Sequence, residues 1–242
     1  MATETTIESL FDVGAHFGYG RARRHPTATQ FLYGTKDRTD IFNLDETVPR
    51  IDAAAAYASS LATAGKQLLF VGGKHESAAI IRSNAEAAGQ PYVAGRWIGG
   101  TLTNFKNIRG RINLLEKLMS EREHGELEKY TKKERLLIDR QIEELLSRFG
   151  GLVKMVELPA ALFVVDTRHE DTAVKEANQL GIPIIGLAST DCDFSLIKYP
   201  IPANDTSIKS VGLIADIIAR AYESGKRAPV AAPAAAKQAD RA

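Results

Sequence analysis

The feature that most constrains the fold is an alternation of short, wholly apolar runs with helical patterns. Residues 67–72 (QLLFVG), 161–166 (ALFVVD) and 183–187 (PIIGL) are apolar at nearly every position rather than at every second one. A strand wetted on one face shows a period of two, whereas a strand apolar throughout has both faces covered. Residues 91–93 and 199–201 are shorter strand candidates. Helical patterns fall between, over residues 50–64, 75–88, 170–180 and 206–222. In the last of these, Ile208, Val211, Ala215, Ile218 and Tyr222 recur at steps of three and four, marking one helix face. Strands alternating with helices in this way predict an α/β domain with a doubly wound, flavodoxin- or Rossmann-like parallel sheet.

The middle of the chain breaks the rhythm. Ile108, Ile112, Leu115 and Met119 repeat at steps of four and three, and so do Ile138, Ile142, Leu145 and Phe149. That spacing is the seam of paired helices. Gly125 lies in the turn region, and Thr131 followed three residues later by Glu134 is a capping-box signature for the second arm. An antiparallel coiled-coil hairpin over residues 105–149 is therefore expected as an insertion between two strands. The α/β domain is then discontinuous, residues 1–104 and 150–224. Each arm carries about two heptads, too few to stand without packing at the base. The hairpin reads either as a docking arm or as a dimer seam. Residues 225–242 are Ala- and Pro-rich with no period and are expected to be disordered.

Composition narrows the function classes. The lone Cys192 excludes an internal disulfide and fits a reducing compartment. The first residues lack a basic start and apolar run, and no stretch reaches the roughly 20 apolar residues of a membrane span. A cytoplasmic protein without a membrane is the expectation. The net charge of +1 is not the strongly basic footprint of many nucleic-acid binders, but charge is unevenly placed. From residue 87 to 115 there is no Asp or Glu, while Arg96, Lys106, Arg109 and Arg111 are present; Arg21, Arg23 and Arg24 form a second basic group.

Enzyme readings find little support. Gly72-Gly73-Lys74 follows the first strand, where ligands of open α/β sheets bind. Lys74 is followed by His75 and has Leu68 where a phosphate-loop sequence requires Gly, and the dinucleotide fingerprint is absent. Lys74, Asp166 and His169 could furnish acid and base groups, with Ser189 or Cys192 as nucleophile, but no spacing fixes their geometry. Asp171 and Glu170 equally suit the first turn of a helix. His16, Asp191, Asp193 and Asp205 are candidate ligands for a divalent metal, scattered without a metal-binding spacing.

The segment Arg96-Trp97-Ile98-Gly99-Gly100-Thr101-Leu102-Thr103-Asn104 is the most informative. It is a Gly-Gly turn flanked by an arginine and the only tryptophan, feeding the first hairpin arm. Arginine pairs with phosphates. Trp97 offers either an exposed stacking face or an anchor for the hairpin base; both readings stay open.

This segment resembles the R-W-x-G-G-x-L-T-N motif of the S2 family of small-subunit ribosomal proteins. Leu10-Phe11-Asp12-Val13-Gly14-Ala15-His16-Phe17-Gly18 is similar to the N-terminal signature of that family. Phe31-Leu32-Tyr33-Gly34, Asn43-Leu44-Asp45-Glu46-Thr47 and Thr131-Lys132-Lys133-Glu134 follow in the expected order, as do Lys175-Glu176-Ala177-Asn178 and Ile201-Pro202-Ala203-Asn204-Asp205. The likeness covers residues 7–224. It implies a non-enzymatic constituent of the bacterial small subunit, with an α/β domain and a protruding hairpin. The implied partners are small-subunit ribosomal RNA and neighbouring ribosomal proteins, including ribosomal protein S1. Phosphate contact is then expected from Arg21, Arg23, Arg24, Arg96, Lys106, Arg109 and Arg111, with Trp97 packing or stacking among them. Two departures stand out. Tyr19 occupies a position where bacterial relatives often carry a second histidine, which weakens a metal near His16. Residues 36–40 (KDRTD) are more acidic than the usual basic segment, which shifts the expected RNA contact there to Arg21, Arg23 and Arg24.

Overall fold

The computed structural model describes residues 6–227. Its centre is a five-stranded parallel sheet of β4 (Leu68–Val71), β5 (Tyr92–Val93), β6 (Ala161–Val165), β7 (Ile184–Ala188) and β8 (Tyr199–Pro202). The spatial order is β5-β4-β6-β7-β8. Counted from its own first strand this is 2-1-3-4-5, the flavodoxin-like winding. Parallel pairing sets Val71 beside both Val93 and Val164, and Leu187 beside both Val165 and Ile201.

The reason the strands read as continuous apolar runs is visible in their side chains. Leu68 and Phe70 of β4 and Ala161, Phe163 and Val165 of β6 enter one core with Ile185 and Leu187. Leu69, Val71, Leu162, Val164 and Ile184 enter the other. The first core is covered by α2 (Leu44–Thr63), α3 (His75–Ala88) and α7 (Ile208–Arg227). The second is covered by α6 (Asp171–Gln179) and by the root of the hairpin, α4 (Phe105–Glu123) and α5 (Lys132–Phe149).

The hairpin is inserted between β5 and β6, at the crossover that carries the chain past β4. Ile108, Ile112 and Leu115 of α4 and Ile142, Leu145 and Phe149 of α5 are buried, while Met119 and Ile138 are only partly so. The seam is therefore closed at its root, where it joins the sheet core, and opens toward its tip. At the tip Gly125 adopts φ +74°, and the capping box forms: Thr131 N donates to Glu134 Oε2 at 2.9 Å and Glu134 N to Thr131 Oγ1 at 3.4 Å.

Three features depart from the sequence expectation. Helix α2 starts six residues before residue 50, because Asn43 accepts from Asp45 N at 3.1 Å and caps it, with Pro49 accommodated in its second turn. Helix α7 runs through residues 225–227, past the domain end expected at residue 224; the rest of the Ala- and Pro-rich segment lies outside the described residues. The N-terminal region, where the sequence shows no strand pattern, carries a sheet of its own. After α1 (Ile7–Asp12), the strands β1 (Phe17–Gly20), β2 (Leu32–Lys36) and β3 (Thr39–Phe42) form a small antiparallel sheet in the order β1-β3-β2. Arg21–Arg23 is a single 3₁₀ turn leading out of β1. No helix among the described residues is long and apolar enough to cross a membrane.

Candidate nucleic-acid interface

The loop from Arg96 to Asn104 is wrapped around one carboxylate. Glu176, on α6, is 7% exposed. Its Oε1 accepts from Trp97 Nε1 at 3.1 Å and Gly100 N at 2.8 Å; its Oε2 accepts from Leu102 N at 3.0 Å and from Thr103 N and Oγ1, each at 3.1 Å. Burial pushes this carboxyl up, but the bonds from Thr103, Trp97, Gly100 and Leu102 outweigh it and hold it below the usual range. The loop bends sharply enough to present three amides to one anion because Gly100 adopts φ +88°. Trp97 is buried at 8% exposure, so its ring is an anchor and not a stacking face.

Anchoring Trp97 inward leaves Arg96 exposed. Lys106 and Arg111 are exposed on α4, and none of the three makes an ion pair among the described residues. Arg109 differs. Its Nη1 donates to the carbonyls of Val153 at 3.1 Å and Met155 at 3.4 Å, and its Nη2 pairs with Glu116 Oε2 at 3.1 Å. It ties the root of α4 to the chain leaving α5, so its charge is largely spent internally.

The N-terminal arginines divide similarly. Arg24 forms a two-pronged pair with Asp40, which is fully buried and also accepts from Thr35 Oγ1 at 2.8 Å. The Arg24 guanidinium holds the Asp40 carboxyl below the usual carboxylate range. Arg21 and Arg23 are exposed without ion pairs among the described residues, and the Arg23 guanidinium lies 5.6 Å from the centre of the Tyr19 ring. No hydrogen bond or ion pair joins the N-terminal group to the hairpin-root group among the described residues.

Where the strand order reverses, between the carboxyl ends of β4 and β6, a cavity of about 430 Å³ is lined by Tyr19, Arg23, Lys74, Asp166, Arg168, His169 and Asp191. The groups proposed for an enzyme meet here, but each is already matched. Lys74 pairs with Asp166, His169 Nδ1 with Glu170 at 2.9 Å, and Arg168 with Asp191 at 3.0 Å. Gly73 N donates to Glu170 Oε1 at 2.9 Å, and a Cβ on Gly73 would stand 2.5 Å from the carbonyl of Gly95. The loop is packed on its neighbours instead of being open to cradle a phosphate. Asp166 holds φ +59° and accepts from Arg168 N and His169 N at 3.1 and 3.0 Å, opening the turn into α6. Ser189 is buried, and burial pushes the Cys192 thiol up to about 12, so neither supplies a nucleophile at neutral pH.

The four metal-ligand candidates do not converge. His16 stacks between Phe11 and Phe17, with ring centres 4.4 and 4.0 Å away. Asp191 faces Arg168, and Asp193 caps a short turn by accepting from Ser195 N at 2.9 Å. Asp205 is instead brought together with Asp166 and Cys192, their ligand atoms within 4.8 Å of one another. Neither Asp205 oxygen meets a donor from another of the described residues, and burial with the nearby Asp166 charge raises its carboxyl to about 7. Sequence reasoning missed Asp40 and Glu176, the two buried carboxylates that hold the basic segments in place; Glu176 was visible only as a member of the Lys175-Glu176-Ala177-Asn178 motif.

Comparison with known proteins accounts for this architecture. The family model described as ribosomal protein S2 matches residues 10–225. Small ribosomal subunit protein uS2 of Acinetobacter baylyi is 42% identical over 221 residues, covering 91% of this chain and 89% of that protein. The uS2 proteins of Coprothermobacter proteolyticus and Chloroherpeton thalassium are 40% and 43% identical, covering 91% and 89% of this chain and 82% and 86% of their own lengths. Both resembling segments around Trp97 and Glu176 fall inside the match, and they form one buried unit. With likeness running through sheet, hairpin and closing helix alike, the chain belongs to the ribosomal protein S2 family, a structural component of the small ribosomal subunit and not an enzyme.

Proposed function

We propose that this protein holds small-subunit ribosomal RNA by phosphate contacts from the root of its hairpin. The observation that carries the reading is that Arg96, Lys106 and Arg111 stand exposed and without ion pairs among the described residues, on a stretch free of carboxylates from residue 87 to 115. Phosphate contacts of this kind fix position without reading sequence, and each adds to the salt dependence of binding. The Glu176 cage and the Arg109 tie supply the rigidity such contacts need. Arg21 and Arg23 add a second cationic area. Neighbouring small-subunit proteins, ribosomal protein S1 among them, are further partners by the family resemblance, and the bacterial cytoplasm is the proposed location. The test is co-sedimentation of the Arg96→Glu, Lys106→Glu, Arg111→Glu triple variant with small subunits lacking the native protein. Occupancy is expected to fall at least tenfold with the melting temperature unchanged, and the S1 content of the particles is read in the same fractions. Undiminished co-sedimentation would sink the reading.

A further inference from the structure

Helix α5 carries two faces of different kinds. Ile138, Ile142, Leu145 and Phe149 turn toward α4 and the sheet core, which commits the seam of the hairpin to contacts within the chain. Leu136 and Leu137 point elsewhere and are 51% and 54% exposed. At about 100° per residue they bracket Lys133 and Arg140 on the side of α5 opposite the seam. Each leucine lies three or four positions from both cations, so the four side chains make one continuous patch. Glu143 and Glu144 occupy the next turn of the same face.

The charges of this face are ordered and largely unspent. Lys133, Arg140, Glu143 and Glu144 are exposed. Their one ion pair among the described residues joins Glu144 to Arg148 at 2.8 Å, with both side chains more than half exposed. A surface pair of that kind contributes little and exchanges easily. The tip half of the face is therefore basic, with the leucines set among its cations, and two acids follow toward the root. Such a face is its own complement when two copies meet antiparallel. With a two-fold axis near Ile138 and Asp139, Lys133 of each copy stands opposite Glu143 and Glu144 of the other, and each Leu137 packs on the stem of the other copy's Arg140. Setting leucine directly on leucine would bring Lys133 against Arg140, and a parallel pairing would set every charge against its like.

We infer that the face of α5 opposite the seam joins two copies of the free chain into a weak antiparallel dimer. Charge order fixes the register, and the leucines and arginine stems supply the apolar contact. An acidic protein segment would satisfy the basic half alone and meet Glu143 and Glu144 as like charges. RNA would leave both leucines and both glutamates uncompensated. A second copy satisfies all six residues. The inference stands apart from the RNA reading, because Arg96, Lys106 and Arg111 lie on α4 and the loop that feeds it.

Sedimentation equilibrium of the full chain reads the dimer directly. Two short helical stretches make a small interface, so half of the protein should be dimeric only near about 100 µM at low salt, and association should weaken as salt rises. Lys133→Glu puts acid against acid and should weaken association by about tenfold; Glu143→Lys/Glu144→Lys should do the same with cations. Neither variant should move the melting temperature, because the substituted side chains are exposed and an acid at position 133 suits the first turn of the helix. Mixed one to one, the two variants should associate as tightly as the native chain or more so, since each offers the sign that the other lacks. A dimer through any other surface would not show that recovery. A native chain that stays monomeric at several times the stated concentration overturns the inference and leaves the face to RNA or to an acidic protein. So does a dimer that either variant leaves intact, and so does a mixture that remains monomeric.

Discussion

The indole N–H of Trp97 donates to the carboxylate of Glu176 from 79 residues away in sequence, and three amides of the same loop converge on that carboxylate. One anion thus replaces the core contacts that a Gly-Gly loop lacks, and it fixes where Arg96 leaves the surface. Removing the acceptor strands the indole and the amides in a buried setting. Glu176→Ala should cost about 4 kcal/mol in urea unfolding, and Glu176→Gln, which keeps one acceptor oxygen, about half of that. Equal, small losses in both variants would show that water substitutes for the carboxylate.

The same cage makes stability depend on acid. The hydrogen bonds hold the Glu176 carboxyl below its unfolded range. A depressed folded value means the folded state binds the proton less readily than the unfolded chain. The stabilisation is therefore complete above roughly pH 4.3 and fades as pH falls through the lower folded value. Stability followed from pH 5 to pH 2 should decline more steeply in the native protein than in Glu176→Gln. Parallel curves would remove Glu176 from the acid response.

Arg24 and Asp40 form the corresponding device under the small antiparallel sheet. Asp40 is fully buried, so Arg24→Ala leaves a carboxylate with only Thr35 for company. Breaking a buried pair from one side costs about 3 kcal/mol, whereas removing both charges costs less. The expected order of stability is native, then the Arg24→Ala/Asp40→Ala double variant, then Arg24→Ala. A double variant as unstable as the sum of the single ones would mean the two side chains act independently.

The parallel sheet was legible because β4, β6 and β7 are buried on both faces and carry an unbroken apolar run. The hairpin was legible because its seam residues keep a helical period. The N-terminal sheet was not. Its strands carry no unbroken apolar run, only Asp40 and Phe42 among their residues are buried, and the turn at Asp37 and Arg38 lacks the glycine that marks such a connection. Arg96, Lys106 and Arg111 stood out as cations without nearby acids, and they are exposed. Arg24 and Arg109 looked alike in sequence, yet the Asp40 carboxylate that holds Arg24 lies 16 residues away and the Val153 carbonyl that ties Arg109 lies 44 away, even though Arg109 also pairs with Glu116 on its own helix. Trp97 stayed ambiguous for the same reason: its inward orientation is decided by α6.

Asp205 gives the opposite pH signature to Glu176. Its carboxyl is raised from an ordinary 3.8 to about 7 by burial and by the nearby Asp166 charge. A raised folded value means the folded state holds a proton that the unfolded chain releases. Stability contributed here falls as pH climbs from about 4 to about 7 and levels off above that range. Asp205→Asn cannot ionise, so its stability relative to the native protein should rise across that window by about 4 kcal/mol by pH 8. A difference independent of pH would show that Asp205 stays ionised in the folded protein, matched by the Lys74 ammonium.

Cys192 offers a probe of how tightly the switch-point region is closed. The thiol is fully buried, its sulfur sits 3.8 Å from Asp166 Oδ1 and 3.7 Å from Asp191 Oδ1, and burial lifts it to about 12. A thiol in that state is neither ionised nor accessible at pH 8, so a thiol-reactive reagent reaches it only when the structure opens. Labelling should therefore follow global unfolding, with a urea dependence matching that of the circular dichroism signal. Arg168→Ala, which removes the partner of Asp191 at the rim of the cavity, should speed labelling without altering that dependence much. Rapid labelling of the native protein in the absence of urea would mean that the carboxyl ends of β6 and β7 open locally, well before the sheet itself comes apart.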